Sequence, residues 1–199
     1  AARAFAIGEL LSSLFLWFEL EQTDLALFAI GGYGRGELSL YSDIDILLLS
    51  PDDIGTEVST KIDRLVAMLW DVGLEPALAV RSVDECLEAA HDHTVASSLL
   101  EARLLIGNND LKDTPIAVVN KLWSQLDFYE IKIEEAKNRY LHHNATEYNL
   151  EPNIKTAPGG LRDIHIIGWV TKRYFRVGKL YDLVQQSFLT EKEYDELSF

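Results

Sequence analysis

Four glycines and two aspartates lie close together in one stretch of the sequence. The glycines fall within Gly31–Gly36, where missing side chains let backbone N–H groups approach phosphate oxygens. The aspartates follow as Asp43-Ile44-Asp45. If this triplet opens a β-strand, its two carboxylates lie on one face, about 7 Å apart along the strand. Carboxylates at that spacing could ligate a hard divalent cation together with phosphate oxygens.

Such a constellation suits transfer chemistry on a nucleoside triphosphate. The cation would neutralise the phosphates and activate an attacking hydroxyl, which leaves the protein mainly a positioning task. Arg35, inside the glycine run, could add a positive charge. Taken separately, a glycine-rich turn is common after a strand, and an Asp-x-Asp triplet also fits a solvated strand end. The order of the two parts is more specific than either part.

Other phosphate-binding motifs differ from this layout. The sequence has neither the Gly-Lys-Ser/Thr of a P-loop nor the Gly-x-Gly-x-x-Gly spacing of a dinucleotide fold. Haloacid-dehalogenase-type phosphatases also use Asp-x-Asp, but their apolar strand precedes the first aspartate. Here the apolar run Ile44–Leu49 follows Asp43.

The composition is that of a globular protein. With 199 residues, 48% of them hydrophobic, the chain can bury one core or two small ones. Its apolar runs are far shorter than the roughly 20 residues of a membrane span, and no signal-peptide pattern is present. One cysteine excludes an intrachain disulfide framework and favours a reducing compartment, so we expect a cytoplasmic protein.

The net charge of −14 is concentrated in the first half of the chain. Residues 1–110 carry 6 Lys and Arg against 19 Asp and Glu, whereas residues 111–199 carry the remaining 12 against 13. An acidic surface repels a phosphate backbone, so we expect no nucleic-acid partner, and an anionic substrate would need local cations. The charge alone also fits a surface that simply keeps the protein soluble.

The hydrophobic pattern predicts a small mixed sheet flanked by helices, followed by an all-helical part. Strands are expected at Leu25–Ile30, Ile44–Leu49 and Leu78–Val80. Helices are expected at Arg3–Glu19, from Val58 to Gly73, at Asp84–Ala90 behind a Ser82–Glu85 capping box, and at Val95–Leu105. His91-Asp92-His93 is expected to be a loop between helices rather than a metal site.

The best candidate for a domain boundary is the polar stretch around Asn108. We therefore predict an α/β domain at residues 1–108 and a helical domain at 109–199, with the site in the cleft between them. The helical part should contain Phe128–His143, Leu161–Phe175 and a second capping box at Thr190–Glu193. Its large aromatic residues, together with Trp70, are expected to pack in the core or between the domains: Trp123, Trp169, Tyr174 and Phe175.

The order of an apolar strand, Gly-Gly and then Asp-x-Asp resembles the signature of the nucleotidyltransferase superfamily, with its α/β (α+β) fold. Longer segments are similar to the N-terminal region of the bifunctional PII uridylyltransferase/uridylyl-removing enzymes. These segments cover most of the chain and are Gly31–Leu49, Leu69–Glu75, Thr94–Leu105, Tyr148–Lys155 and Pro158–His165.

This resemblance implies transfer of UMP from UTP to a tyrosine hydroxyl of a PII signal-transduction protein in bacterial nitrogen control, with Mg²⁺ or Mn²⁺. It further implies that Asp43 and Asp45 are the catalytic metal ligands and that Gly31 and Gly32 meet the triphosphate. Arg35 and Ser42 are added here as expected nucleotide-binding residues. The full family enzyme also carries a downstream hydrolase domain and a pair of glutamine-sensing domains, which these 199 residues do not contain.

The sequence departs from the superfamily pattern at the third strand. Many nucleotidyltransferases place a third carboxylate there, but this strand reads Ala77-Leu-Ala-Val-Arg81. Glu75 is the nearest acid, and it also fits a surface position at the strand end. Two alternatives therefore stay open: a nucleotidyltransferase-like protein with another acceptor, and a catalytically silent module that binds a nucleotide or a partner protein.

The stretch from Asn149 to Asp163 combines charged residues with two prolines and two glycines. In one interpretation Lys155 or Arg162 reaches the nucleotide from the helical half. In the other, Arg162-Asp163 caps a helix and Lys155 is solvent-exposed. The sequence does not decide between them.

Overall fold

The computed structural model describes residues 2–39, 42–142, 153–175, 181–185 and 187–197. The chain forms two compact units, Ala1–Leu122 and Trp123–Phe199, and each is described by itself below. No helix in the described ranges is long and apolar enough to cross a membrane.

The first unit is built on a four-stranded mixed sheet. Its strands are β1 (Ala26–Ala29), β2 (Ile44–Ser50), β3 (Pro76–Ser82) and β4 (Arg103–Gly107). They lie in the order β3-β2-β1-β4, with β1 antiparallel to both β2 and β4 and with β2 parallel to β3. The predicted mixed sheet is confirmed.

The strands β1 and β2 occupy the centre of the sheet because they carry almost no polar side chains that need contact with solvent. All four residues of β1 are buried, and in β2 only Asp45 keeps partial exposure. A strand that is apolar on both sides needs a covering layer on each face. Helix α1 (Ala2–Trp17) contributes Leu11 and Phe15, which have no exposed surface, to that core.

The parallel pair β2–β3 requires a crossover, and α3 (Thr56–Asp71) provides it. Ile62, Leu65 and Leu69 recur at helical spacing and are buried against the sheet. Directly after β3, the Ser82 side chain accepts from Glu85 N–H and Glu85 accepts from Ser82 N–H. This confirmed capping box starts α4 (Val83–Ala89).

The predicted helix Val95–Leu105 is wrong in its second half. Helix α5 (His93–Leu100) ends early, and the chain turns into β4, which pairs with β1 through Ala29↔Arg103 and Leu27↔Ile106. A short apolar run fits a strand and a buried helix equally well. Here the pairing with β1 decides, because it fills the open edge of that strand.

The two compact units divide later than the predicted boundary at residue 108. Helix α6 (Thr114–Leu122) packs against α4 and α5 and therefore lies in the first unit. Residue 108 is instead the end of the sheet, where Asn108 N–H donates to the carbonyl of Leu25 over 2.8 Å.

The second unit contains helices α7 (Gln125–His142) and α8 (Leu161–Phe175), which pack on each other, and the short α9 (Asp182–Gln185) and α10 (Glu191–Leu197). The predicted helix Phe128–His143 is confirmed as far as His142, and residue 143 lies outside the described ranges. Thr190 and Glu193 exchange the predicted capping-box hydrogen bonds at the start of α10.

The predicted aromatic packing differs from residue to residue. Trp169 is buried, and Trp123 meets Phe128 edge-on at 6.2 Å. Trp70 and Tyr174, by contrast, are 55% and 52% exposed. The side chain of Phe175 lies outside what the structure describes.

Candidate functional site

The glycine run forms one tight turn at the end of β1. Residues Gly31–Gly34 make a single helical turn, α2, which Arg35 and Glu37 close by donating their N–H groups to the carbonyls of Gly31 and Gly32. In any helix the first N–H groups have no acceptor within the helix. In this turn those groups belong to Gly31, Gly32 and Tyr33, the positions at which a phosphate would be met.

The glycine turn and the aspartate pair are in contact through Gly31 and Asp45. Ile30 N–H donates to the carbonyl of Asp45 over 3.1 Å, which fixes the start of the turn beside β2. Gly31 has φ +55, and a Cβ added to it would lie 3.1 Å from Asp45 Oδ2. Only glycine leaves that space to the carboxylate without strain, so the two motifs form one site.

Asp43 and Glu75 lie at the edge of the sheet where β2 and β3 begin. Asp43 immediately precedes β2 and is exposed, and Asp45, on the strand, is partly buried. The N–H of Ile44 donates to the carbonyl of Glu75 over 3.3 Å, so Glu75 enters β3 at the same edge. Its side chain is exposed. On β3 the residue paired with Asp45 is Ala77.

The aspartates offer the hard oxygen donors that Mg²⁺ and Mn²⁺ prefer. Within the described residues, no three side chains from His, Cys, Asp and Glu are grouped so that they could hold a metal ion. Glu75 therefore does not complete a three-residue cluster with Asp43 and Asp45. The donor set fits a cation that takes its remaining ligands from phosphate oxygens and water.

Arg35 is held over the glycine turn by two carboxylates. Its Nε lies 2.8 Å from Glu37 Oε2 and 4.0 Å from Glu101 Oε2. A Cβ added to Gly32 would lie 3.7 Å from Arg35 Nη2, so the guanidinium covers the first turn of α2. Ser42 has a local role, since its hydroxyl donates to the carbonyl of Ser39 over 3.0 Å.

Two residues beside this turn were missed from the sequence. Arg103 on β4 donates from Nε to the carbonyl of Gly34 and from Nη2 to that of Tyr33, and its guanidinium lies 5.7 Å from the centre of the Tyr33 ring. Burial raises the pKa of Tyr33, and the Arg103 charge opposes that rise. The second residue is Glu101, whose carbonyl oxygen would lie 2.1 Å from a Cβ on Gly34.

The signal for these two residues was the Glu-Ala-Arg triplet that interrupts the apolar pattern of Val95–Leu105. A continuous helix would have placed that triplet on a surface. The switch to a strand instead turns both residues toward the glycine turn.

Lys155 lies in a loop that caps α8, and Arg162 lies in the first turn of that helix. Asn153 Oδ1 accepts from the N–H groups of Lys155 and Thr156, each over 3.0 Å. The first N–H groups of α8 are also occupied, because Leu161, Arg162 and Asp163 donate to loop carbonyls. Lys155 is exposed, and the Arg162 guanidinium lies 5.4 Å from the centre of the Trp169 ring.

The side chain of Asp163 ties this cap to α7. It accepts from Gly159 N–H and from the Tyr140 hydroxyl, each over 2.7 Å, and it pairs with Arg139. The hydrogen bond to Asp163 raises the pKa of Tyr140. These contacts all lie within the second unit. The earlier part of the motif, residues 148–152 with Glu151, lies outside the described ranges.

Comparison with known families agrees with this architecture. Residues 15–106 match the nucleotidyltransferase domain family, so the sheet, the glycine turn and the aspartate pair define a nucleotidyltransferase domain. Residues 127–198 match the family described as GlnD PII-uridylyltransferase. Over all or nearly all of its length the chain is similar to part of the bifunctional uridylyltransferase/uridylyl-removing enzymes.

These relatives are bacterial. The bifunctional uridylyltransferase/uridylyl-removing enzyme of Psychrobacter arcticus is 75% identical over all 199 residues, and that of Psychrobacter sp. is 65% identical over 198. The enzyme of Acinetobacter baylyi is 48% identical over 194 residues, or 96% of this chain. In each case the chain spans 22% of the relative's length.

A crystal structure of a toxin–antitoxin with AMP-PNP shows a limited likeness. The TM-score is 0.34 at 13% identity, covering 67% of this chain and 93% of the other. A likeness of this size supports no functional conclusion.

Proposed function

We propose that this chain carries the transferase site of a bifunctional uridylyltransferase/uridylyl-removing enzyme. The reaction would move UMP from UTP to a tyrosine hydroxyl of the PII nitrogen-regulatory protein, in the cytoplasm. The observation that carries the proposal is the contact between Gly31 and the Asp45 carboxylate, since it joins a phosphate-binding turn to an acidic pair. The family of the relatives supplies the nucleotide and the acceptor.

In the proposed reaction the acceptor oxygen forms a bond to the α-phosphorus of UTP. The bond between that phosphorus and the bridging oxygen of pyrophosphate breaks, and the acceptor proton leaves to a base. Gly31 and Gly32 would hold phosphate oxygens by their N–H groups, and the Arg35 guanidinium would add positive charge over the same turn. Ser42 would support the turn before the aspartates.

Asp43 and Asp45 would hold Mg²⁺, or Mn²⁺, which when bound neutralises the triphosphate and lowers the pKa of an attacking hydroxyl. Glu75 is the proposed candidate for the base, because it enters the sheet beside Asp43. Lys155 and Arg162 would contact the nucleotide only if the cleft predicted between the two domains forms.

The test is UMP transfer by a variant with Asp43→Asn and Asp45→Asn, measured as labelled PII and released pyrophosphate. We expect transfer to fall by roughly 100-fold or more, because metal ions stabilise transition-state charge by several kcal/mol. Asp52 and Asp53 form an exposed acidic pair beyond the other end of β2 and provide a matched control. Their double change to asparagine should leave transfer intact. Equal activity in both double variants would end the proposal.

A second candidate is a module that binds nucleotide without turning it over. The observation that favours it is the absence of an acid from Ala77–Arg81, since many nucleotidyltransferases place a third carboxylate on this strand and the residue paired with Asp45 is Ala77. Calorimetry with UTP and Mg²⁺ beside a pyrophosphate assay separates the candidates, since binding without release points to the silent module. Offering ATP, CTP and GTP with and without PII in the same assay tests the alternative of another nucleotide or acceptor.

A further inference from the structure

The corner between α5 and β4 presses against the glycine turn. We define this corner as residues 101–103, which are the two residues after α5 and the first residue of β4. A Cβ on Gly34 would lie 2.1 Å from the carbonyl oxygen of Glu101 and 3.0 Å from that of Ala29. The backbone of the turn is therefore enclosed between β1 and the corner.

Arg103 fixes the carbonyl side of the turn. Its guanidinium reaches Gly34 O over 3.2 Å and Tyr33 O over 3.4 Å, and it lies against the face of the buried Tyr33 ring. One planar group thus binds two successive carbonyls. These two carbonyls share their peptide planes with the N–H groups of Gly34 and Arg35, which donate to the carbonyls of Ile30 and Gly31. Arg103 therefore stabilises the end of the turn whose start presents the N–H groups of Gly31 and Gly32.

Glu101 fixes the side chain that covers the turn. Its carboxylate is 2% exposed and lies 4.0 Å from Arg35 Nε. A carboxylate so deeply buried requires compensation by a positive group or hydrogen bonds. The second acid beside Arg35 is Glu37, whose side chain is 61% exposed. Solvent screens its attraction to the guanidinium more strongly than that of Glu101. The Arg35 guanidinium is thus held from two sides, by a hydrogen bond to the exposed Glu37 and by the charge of the buried Glu101.

We propose that Glu101 and Arg103 are positioning residues for the triphosphate of the proposed reaction. Glu101 acts through Arg35, which it holds over Gly32, and Arg103 acts through the carbonyls of Tyr33 and Gly34. The need for such support is physical, since a single helical turn of four residues does not stabilise itself. This inference rests on the proposed function, because it concerns the same site, and it assigns the site two residues from a distant part of the chain.

The test uses the full-length protein with Glu101→Gln and Arg103→Lys. Glutamine keeps the size of Glu101 but removes its charge, and lysine keeps the charge of Arg103 but loses the planar fork. We expect each variant to raise KM for UTP and Kd for UTP with Mg²⁺ by roughly tenfold, as for the loss of one charged interaction, with KM for PII unchanged. A purely structural role would not produce that split.

Glu85→Gln is the matched control, because Glu85 is a carboxylate of the same unit whose described bond is to the N-cap of α4. It should lower Tm and leave both KM values unchanged. A second measurement addresses the route through Arg35: in an Arg35→Met background, Glu101→Gln should add little to Kd. Full additivity of the two changes would contradict that route.

The outcomes separate this inference from the proposed function. A folded wild-type protein that binds UTP with Mg²⁺ but transfers nothing would end the proposed reaction, while the Kd values of the variants would still test the positioning role. Unchanged KM and Kd in both variants, with Tm lowered as in Glu85→Gln, would overturn the positioning role alone. A wild-type protein without UTP affinity would overturn both.

Discussion

At the scale of single residues, Gly31 has two separate roles. Its φ of +55 belongs to the left-handed region, and its missing Cβ leaves room for Asp45 Oδ2. Gly31→Ala should therefore cost about 1 kcal/mol of stability through backbone strain and also displace the carboxylate. We expect the rate of transfer, measured as pyrophosphate release, to fall by more than the loss of stability accounts for. A melting curve of the same variant measures that loss of stability.

Gly73 separates these two effects. It has φ +77 but no atom within 4 Å of an added Cβ, and it lies beyond the end of α3. Gly73→Ala should lose comparable stability and keep its activity. Equal activity losses in the two variants would show that the contact with Asp45 does not matter.

Contacts in the site could be predicted when the two residues are close in sequence, and could not when they are far apart. The contact of Gly31 with Asp45 could be anticipated, because a strand, a turn and a second strand follow one another between Ala26 and Ser50 and antiparallel neighbours are the simplest arrangement. Arg103 contacts a carbonyl 69 residues away, and no local pattern encodes that distance. Functional assignment of Asp43, Asp45 and the nucleotide-binding residues stays a prediction.

At the scale of elements, Asp92 starts the helix that leads to Glu101. Its side chain accepts from Thr94 N–H over 2.6 Å at the N-cap of α5, and this hydrogen bond lowers the pKa of Asp92. Asp92→Ala should cost about 1 kcal/mol, whereas Asp92→Asn keeps an acceptor and should cost less.

The lowered pKa of Asp92 gives the sign of a pH effect. An acid with a depressed folded pKa contributes stability above its ordinary pKa of about 4, and this contribution is lost as the pH falls through the folded pKa. Denaturant unfolding of wild type and Asp92→Asn should therefore show a difference that shrinks in acid. A difference that does not depend on pH would contradict the ionised cap.

Tyr140, in the second unit, should give a pH dependence of stability opposite in sign to that of Asp92. Its hydroxyl donates to Asp163, and this bond raises the pKa of Tyr140. Tyr140→Phe should lose about 1 kcal/mol of stability at neutral pH. Because the folded pKa is raised, the contribution is complete below the ordinary value of about 10 and is lost as the pH rises through the folded pKa. Unfolding at pH 7 to 11 measures this, and a gap that persists in alkali would count against the hydrogen bond.

Helix starts that are marked by capping residues could be predicted from the sequence. The capping boxes at Ser82 and Thr190 are local sequence signals, and both form as expected. The boundary inside Val95–Leu105 could not be predicted, because Leu104, Leu105 and Ile106 fit either periodicity and only β1 selects the strand. Because this strand was not predicted, the polar stretch that follows the sheet at residue 108 was interpreted as the end of the domain.

At the scale of the whole molecule, the proposed function predicts a ligand-linked change in stability. A ligand that binds only the folded state raises its stability by about 2.7 kcal/mol at 100 times Kd. UTP with Mg²⁺ should therefore raise Tm of the first unit, and EDTA should reduce that shift because the net charge of −14 opposes binding of a bare triphosphate. The same shift with EDTA as with Mg²⁺ would remove the metal from the proposal. Differential scanning fluorimetry is the measurement.

The fold class could be predicted at this scale because sheet and helix periodicities are repeated over many residues. The mixed α/β unit and the helical unit were both expected, and both are present. How the two come together depends on side chains in both units at once, so the predicted cleft and the roles of Lys155 and Arg162 in it stay predictions.

The position of β4 has a consequence for protein synthesis. β1 leaves the ribosome before β4, and the two strands cannot pair until the residues up to Gly107 have been translated, which takes several further seconds at about 5–20 residues per second. During that interval the edge of β1 has no β4 to pair with, and the glycine turn lacks its contacts with Glu101 and Arg103. A nascent chain that pauses in this window would offer that edge to chaperones, or to other nascent chains on the same message.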